Sequence, residues 1–457
     1  MERFDAIVIG AGQAGPGIAG ELAGNGRRVA LIEYERVGGT CLNHGCRPTK
    51  ALRASGMAAH RARRAADFGV RTGAVSVDFP AVMDRMHTMI DGMRDGLLQW
   101  LESLSTLELL HGTATLTGST TGDHRVVVGS RELSAPEVYL DLGARAVVPP
   151  IPGLDQVDYL TEVELLQLTE LPAELIIIGG SYIGCEFGQL FGRFGSSVTI
   201  IGDIAPREDP DVSAAVADLL TGEGVRVLRA RAEQLAADGD RIVVRCSDGT
   251  EVSGTHLLLA AGRRPNIDLL GPDHGLRLDE RGYLAIDGRF STSLPGIWAL
   301  GDVNGHGAFT HTAYQDSQIL LDPERTVDGR VTTYAMFTDP PLGRVGMTEA
   351  EARQSGRRVL KAEVPMSRVS RAVLDSETVG LMRILVDGDS EEILGATFFG
   401  LSGDELVQQI GLAMQAGVGY RQVRDALPIH PTVGEFIPSM LTSLTPLDGS
   451  TPQSAGT

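Results

Sequence analysis

Short, largely apolar runs recur along the chain and alternate with stretches whose apolar residues fall at helical spacing. Phe4–Ile9, Val29–Ile32, Leu107–Leu110, Val126–Val128 and Val138–Leu142 lie in the first third, and Leu175–Ile178, Ser197–Ile201 and Leu257–Ala261 in the middle. Runs of this kind predict strands buried on both faces, the habit of a parallel sheet covered by helices. Residues from Ala51 to about Leu104 read as helices, most clearly over Phe79–Leu101. After about Thr332 the pattern turns to β-like runs, Leu381–Val386 and Ile393–Phe399, followed by a helical segment from Glu405 to Ala416. The order predicts an α/β protein with two strand-turn-helix units and a C-terminal α+β region.

Glycines mark where each unit turns. The first run leads into Gly10-Ala11-Gly12-Gln13-Ala14-Gly15, and the next strand ends in Glu33, 18 residues after Gly15. Glycine there allows a tight turn and close approach of backbone to a pyrophosphate at a helix N-terminus, and the acid suits ribose hydroxyls. A dinucleotide site follows, with FAD and NAD both open. The pattern repeats at Gly179-Gly180-Ser181-Tyr182-Ile183-Gly184 after Leu175–Ile178, with serine in place of the middle glycine. Pro149-Pro150-Ile151-Pro152-Gly153 reads as a boundary between the two.

Charge and cysteine count narrow the chemistry. The 457 residues carry 40 basic and 59 acidic side chains, net −19, with no basic run, which disfavours nucleic acid and anionic membranes as partners. No apolar stretch approaches the roughly 18 residues of a membrane span and no signal peptide is evident, so a cytoplasmic location is expected. Of the four cysteines, Cys41 and Cys46 stand five apart in Gly38-Gly39-Thr40-Cys41-Leu42-Asn43-His44-Gly45-Cys46-Arg47-Pro48-Thr49-Lys50. Zinc would need more ligands than His44 could add, so no metal is expected and the pair reads as redox-active.

That stretch resembles the active-site signature of the class I pyridine nucleotide-disulfide oxidoreductases, the group of glutathione reductase, dihydrolipoamide dehydrogenase and mercuric reductase. The resemblance implies FAD at the first site, held by Gly10, Gly12, Gly15, Glu33, Gly39, Thr40, Lys50 and Ala114, and by Asp302 of Gly296-Ile297-Trp298-Ala299-Leu300-Gly301-Asp302. It implies NADPH or NADH at the second, with Gly179, Ser181, Tyr182, Ile183, Gly184 and Gly262. Cys46 becomes the thiol beside the flavin and Cys41 the interchange thiol. Lys50 and Glu186 stand near the flavin, and Tyr182 covers it. His430 and Glu435 of His430-Pro431-Thr432-Val433-Gly434-Glu435 match the family's acid/base pair, which serves the other subunit of a homodimer. A helix starting near Cys46, with Lys50 one turn on, favours a thiolate.

On this reading the fold is two Rossmann-like domains, for FAD and NAD(P), plus a C-terminal α+β dimerisation domain. The expected divisions are 1–150 and 271–330 for FAD, 151–270 for NAD(P) and 331–445 for dimerisation, with a disordered tail from about Thr445. Electrons would pass from NAD(P)H through FAD and Cys41/Cys46 to a small-molecule or protein disulfide, or back from a dithiol. Alternatives are a metal-ion reductase for mercury or copper(II), and a redox-sensing flavoprotein with little turnover. Mercury fits poorly, because no cysteine follows Cys246. Coenzyme choice turns on Gly202 at the end of its strand: the missing acid leans to NADPH, but Asp203 follows immediately. Met83, Met86, Met89, Ile90 and Met93 read as one core-facing helix face. Cys185 reads as a buried filler, and His44 and Arg47 as solvated or locally bonded.

Overall fold

The computed structural model describes residues 1–120 and 122–447, which divide into two compact units. The first comprises Met1–Pro149, Leu160–Leu171 and Ala261–Gly329, and the second Pro150–Tyr159, Pro172–Ala260 and the chain from Arg330 on.

In the first unit the apolar runs form a five-stranded parallel sheet. Its order is Ile297–Ala299, β4 (Val138–Leu140), β1 (Ala6–Ile9), β2 (Val29–Glu33) and β3 (Leu107–His111). Between β1 and β2 runs α1 (Gly15–Gly24); α2 (Gly39–Asn43), α3 (Cys46–Arg63) and α4 (Phe79–Glu102) separate β2 from β3. Every residue of β1 and β2 is buried, as expected for strands with helices on both faces. A second sheet orders Glu2–Arg3, Arg131–Ala135, Asp123–Val128 and Ala114–Thr120. After Leu107–His111 the chain turns at Gly112, and Ala114 opens a strand of the second sheet.

The second unit holds a four-stranded parallel sheet that includes β5 (Glu174–Gly180), followed by α5 (Tyr182–Phe194), and β6 (Ser197–Ile204), followed by α6 (Pro210–Gly222). A six-stranded antiparallel sheet from Thr333–Met336 to Thr445–Pro446 follows, with the helix Gly403–Gln415 after its Ile393–Phe399 strand. Two expectations change here. Thr445 and Pro446 pair with Lys361 and Leu360, so order extends into the expected tail, whose residues 448–457 lie outside the described ones. Residues 261–270 belong to the first unit, because Arg263–Pro265 pairs with Ala144–Ala146 and Asn266 bonds the Leu142 carbonyl at 2.9 Å.

Candidate active site

The first glycine turn is closely packed, with backbone against Gly10, Gly15 and Gly39. Gly10 (φ +101°) donates to the Ile32 carbonyl at 2.8 Å, and a methyl group on Gly10 would lie 2.1 Å from the Asp141 carbonyl oxygen. One on Gly15 would lie 2.1 Å from the Gly10 oxygen. Gly39 (φ +57°) packs so closely that a methyl there would sit 2.7 Å from Gly12 Cα, so the loop bearing the cysteines lies on the glycine turn itself. Glu33 is buried at the end of β2 and accepts from Ala11 N and Glu35 N, each at 2.8 Å. Burial nonetheless pushes its pKa up. Each oxygen keeps acceptor capacity for a ribose hydroxyl.

Asp302 lies on the turn after Ile297–Ala299, which is held by the buried Asp316 through Gly301 N (2.8 Å) and Asn304 Nδ2 (3.0 Å). Burial raises the Asp302 pKa to about 6; Arg263 opposes this, while Cys46 and Asp316 add to it. A constricted glycine turn, a ribose-type acid and this second acid fit a dinucleotide such as FAD. Ala114 is buried, Lys50 half-buried on α3, and Thr40 exposed on α2. Gly262 (φ +119°) accepts from Val147 N at 2.9 Å.

Cys41 is buried on α2, while Cys46 is exposed as the first residue of α3. The two thiols are within hydrogen-bonding reach of each other. Thr310, which opens the helix Thr310–Leu321, places its hydroxyl 3.3 Å from Cys46 Sγ and also bonds Cys41. The bond to Cys46 and then burial push the Cys41 pKa up, with Thr310 and Arg47 opposing. The two thiols thus occupy different environments, Cys41 shielded and Cys46 accessible.

His44 and Arg47 both bond locally, as expected, but neither is idle. His44 is 7% exposed, and its Nε2 lies 2.8 Å from Glu35 Oε1 while Nδ1 is buried without a partner among the described residues. Because Glu35 N also donates to Glu33, hydrogen bonds run from the ribose-type acid to the cysteine loop. Arg47 is exposed and donates to Met93 Sδ at 3.6 Å. The methionine face is narrower than expected: Met83, Met86 and Ile90 are buried, but Met89 and Met93 are 38% and 42% exposed. At ~100° per residue both lie to one side of that stripe.

In the second unit Gly179 (φ +113°) turns the chain, and a methyl on Gly184 would lie 1.9 Å from the Gly179 oxygen. Ser181 caps α5 without a side-chain bond, with Tyr182 and Ile183 half-buried in its first turn. Strand register resolves the coenzyme strand. Ile178 pairs with Ile201 as Ile9 pairs with Ile32, which makes Gly202 the counterpart of Glu33. A methyl on Gly202 would lie 3.3 Å from Gly180 N, the counterpart of the Ala11 N that Glu33 accepts from. Asp203 is exposed one position on. Cys185 is buried as expected, donates to Gly180 O at 3.1 Å, and is pushed up to about 12 by burial. Glu186 is buried and accepts from Phe337 N at 2.8 Å. Near the C-terminus, His430 Nδ1 lies 2.8 Å from Glu435 Oε2, its side chain 78% exposed and that of Glu435 nearly buried. The carboxylate therefore fixes the ring and leaves Nε2 to face outward.

Sequence reasoning did not single out Thr310, Asp316, Glu35 or Asp141. No fixed spacing links Thr310, Asp316 or Asp141 to the glycines or cysteines they touch.

The family model described as pyridine nucleotide-disulphide oxidoreductase matches residues 4–317, and that family's dimerisation domain matches 332–441. The chain is 33% identical over 451 residues to the "probable pyridine nucleotide-disulfide oxidoreductase RclA" of Escherichia coli (strain K12), covering 96% of this chain and 98% of the relative. It is 32% identical to a mercuric reductase of Streptomyces lividans, over 95% of this chain and 94% of the relative. It is 32% identical to a dihydrolipoyl dehydrogenase of Chlamydia muridarum, over 95% of each chain. A solved structure described as the Cu(II) complex of "HOCl-induced flavoprotein disulfide reductase RclA" from Escherichia coli superposes with a TM-score of 0.86 at 33% identity, covering 97% of this chain and 99% of that one. No helix among the described residues is long and apolar enough to cross a membrane.

Proposed function

Because the chain belongs to the pyridine nucleotide-disulfide oxidoreductase family, we propose that it reduces a disulfide with NADPH through the Cys41/Cys46 pair, as a cytoplasmic homodimer that carries FAD. The observation behind this is the thiol pair itself: two sulfurs in mutual hydrogen-bonding reach, bridged by Thr310, in a loop that lies on a dinucleotide-type glycine turn. FAD supplies a two-electron relay between nicotinamide and disulfide. Gly10, Gly12, Gly15 and Gly39 shape its seat, with Glu33 for ribose and Asp302 for the flavin end. Thr40, Ala114 and Lys50 complete that set of contacts.

Reduction of the Cys41–Cys46 disulfide frees both thiols. Cys41 then attacks one substrate sulfur, forming a mixed disulfide and releasing the other sulfur as a thiol. Cys46 displaces the second thiol and restores the disulfide. Each leaving sulfur needs a proton, and His430, steadied by Glu435, serves it in the opposite copy of the homodimer. The balance is NAD(P)H, one proton and a disulfide giving NAD(P)⁺ and two thiols.

For the coenzyme, Gly179, Ser181, Tyr182, Ile183, Gly184 and Gly262 serve the second site. NADPH is favoured because Gly202 stands where the first site has Glu33, so that position carries no acid to repel a 2′-phosphate. A copper(II) reductase is the second reading, favoured by the Cu(II) complex of the similar solved structure.

Anaerobic incubation with NADPH or NADH, followed by alkylation and mass spectrometry, tests the reading. Cys41 and Cys46 should become labelled only after coenzyme addition, and faster with NADPH. If both coenzymes leave the pair unlabelled, the proposal fails. Reoxidation by a panel of disulfides, quinones, Cu(II) and Hg(II) then ranks the acceptors.

A further inference from the structure

The first unit holds a buried carboxyl that the proposed reaction does not use. Asp141 follows β4, is 6% exposed, and turns Oδ2 onto the N-terminus of α1, accepting from Gly15 N at 2.8 Å and Ala14 N at 3.2 Å. The same oxygen would lie 2.7 Å from a methyl on Gly12 and 3.2 Å from one on Gly15. The fingerprint glycines thus make room for this side chain as well as for a ligand. A helix N-terminus is where a dinucleotide's diphosphate is stabilised, and two of its N–H groups here already point at an acid.

We propose that Asp141 is a positioning residue that makes cofactor retention depend on a proton: FAD is held tightly while the Asp141 carboxyl is neutral and loosely once it ionises beside the diphosphate. This rests on the FAD reading above. The charged groups facing Asp141 are both acids, Asp302 on the turn after Ile297–Ala299 and Glu33 at the end of β2. Asp302 in turn feels Arg263, Cys46 and Asp316. Burial pushes the Asp141 pKa up to about 8, the Gly15 and Ala14 N–H groups opposing and the two acids adding to it. An added diphosphate raises it further, so the bound state keeps the proton. Apparent affinity then falls with the neutral fraction of the free protein, about thirtyfold between about pH 7 and 9.5.

The test measures the FAD dissociation constant of the holoenzyme by the return of free-flavin fluorescence on dilution, across that pH range, in the parent chain and in Asp141→Asn. The parent should weaken about thirtyfold while the asparagine variant stays flat. Glu33 and Asp302 are present in both, so their contributions cancel. As a check that needs no variant, release of FAD near pH 9 in weak buffer should free about one proton per flavin. A flat parent profile, an unchanged slope in Asp141→Asn, or release without protons overturns the inference while leaving FAD binding intact. Protein that holds no FAD at any pH overturns the FAD reading, and this inference with it.

Discussion

Replacing Arg383 by methionine should destabilise the second unit through charge, since the side-chain volume is nearly conserved. Arg383 is 2% exposed on the strand Leu381–Asp387. Its guanidinium meets Asp209 at 3.2 Å, Glu349 at 2.9 Å and Glu363 at 2.6 Å, and also bonds Asp211 at the start of α6. Without it, Lys361 and Arg353 still hold Glu349, at 2.9 and 2.7 Å, but Asp209 and Asp211 lose their cation. Asp209 is buried and, among the described residues, keeps the hydrogen bonds from the Glu349 and Ala350 N–H groups.

Removing one partner of a buried ionic cluster costs about 3–5 kcal/mol. Asp211 and Glu363 can rehydrate, since their side chains are 53% and 34% exposed, which places the loss near about 3 kcal/mol. For a unit of this size that is a fall in Tm of about 6–12 °C. The pH dependence follows from sign. Burial works to raise the pKa of Asp211 and Glu349, but their cations, Arg383 among them, hold both below the ordinary carboxylate value. Such depression stabilises the fold above the unfolded pKa, and the gain is lost as pH falls through the folded one. The variant's deficit should therefore be greatest at about pH 7–8 and shrink toward about pH 4. Thermal denaturation of both proteins at one concentration across that range checks it; a Tm within about 1 °C of the parent, or a deficit independent of pH, refutes the reasoning.

Two further outcomes concern the redox loop. His430→Gln should slow disulfide reduction about 10²–10⁴-fold while NADPH still exposes Cys41 and Cys46 to alkylation, as measured by paired steady-state and labelling assays. Arg47→Gln removes a charge that holds the Cys41 pKa down, so the pH profile of Cys41 alkylation in the reduced protein should move upward; an unmoved profile would exclude Arg47 from that role.

What the sequence revealed was whatever depends on local spacing. Gly10 through Glu33, the Cys41/Cys46 stretch and His430 with Glu435 each lie within one strand-turn-helix or one loop, so residue order carries their geometry. Asp141, Asp316 and Thr310 escaped notice because they reach the site from distant strands and helices, and an acid inside an apolar run carries no mark of what it faces. Gly202 sat between these cases. Its residue type was plain, but its equivalence to Glu33 needed strand register. Met89 and Met93 show the limit of helical periodicity, which locates a buried stripe without fixing its width.

The contrast between Glu33 and Gly202 also bears on how one chain sorts two similar molecules. FAD and NAD(P)H each carry an adenosine 5′-diphosphate unit, so two glycine turns built alike would discriminate less between them. Placing the acid in one copy and glycine in the other gives each turn a different preference for the adenosine ribose. Under the proposed function, one side chain would thereby separate a berth for FAD from one for the coenzyme.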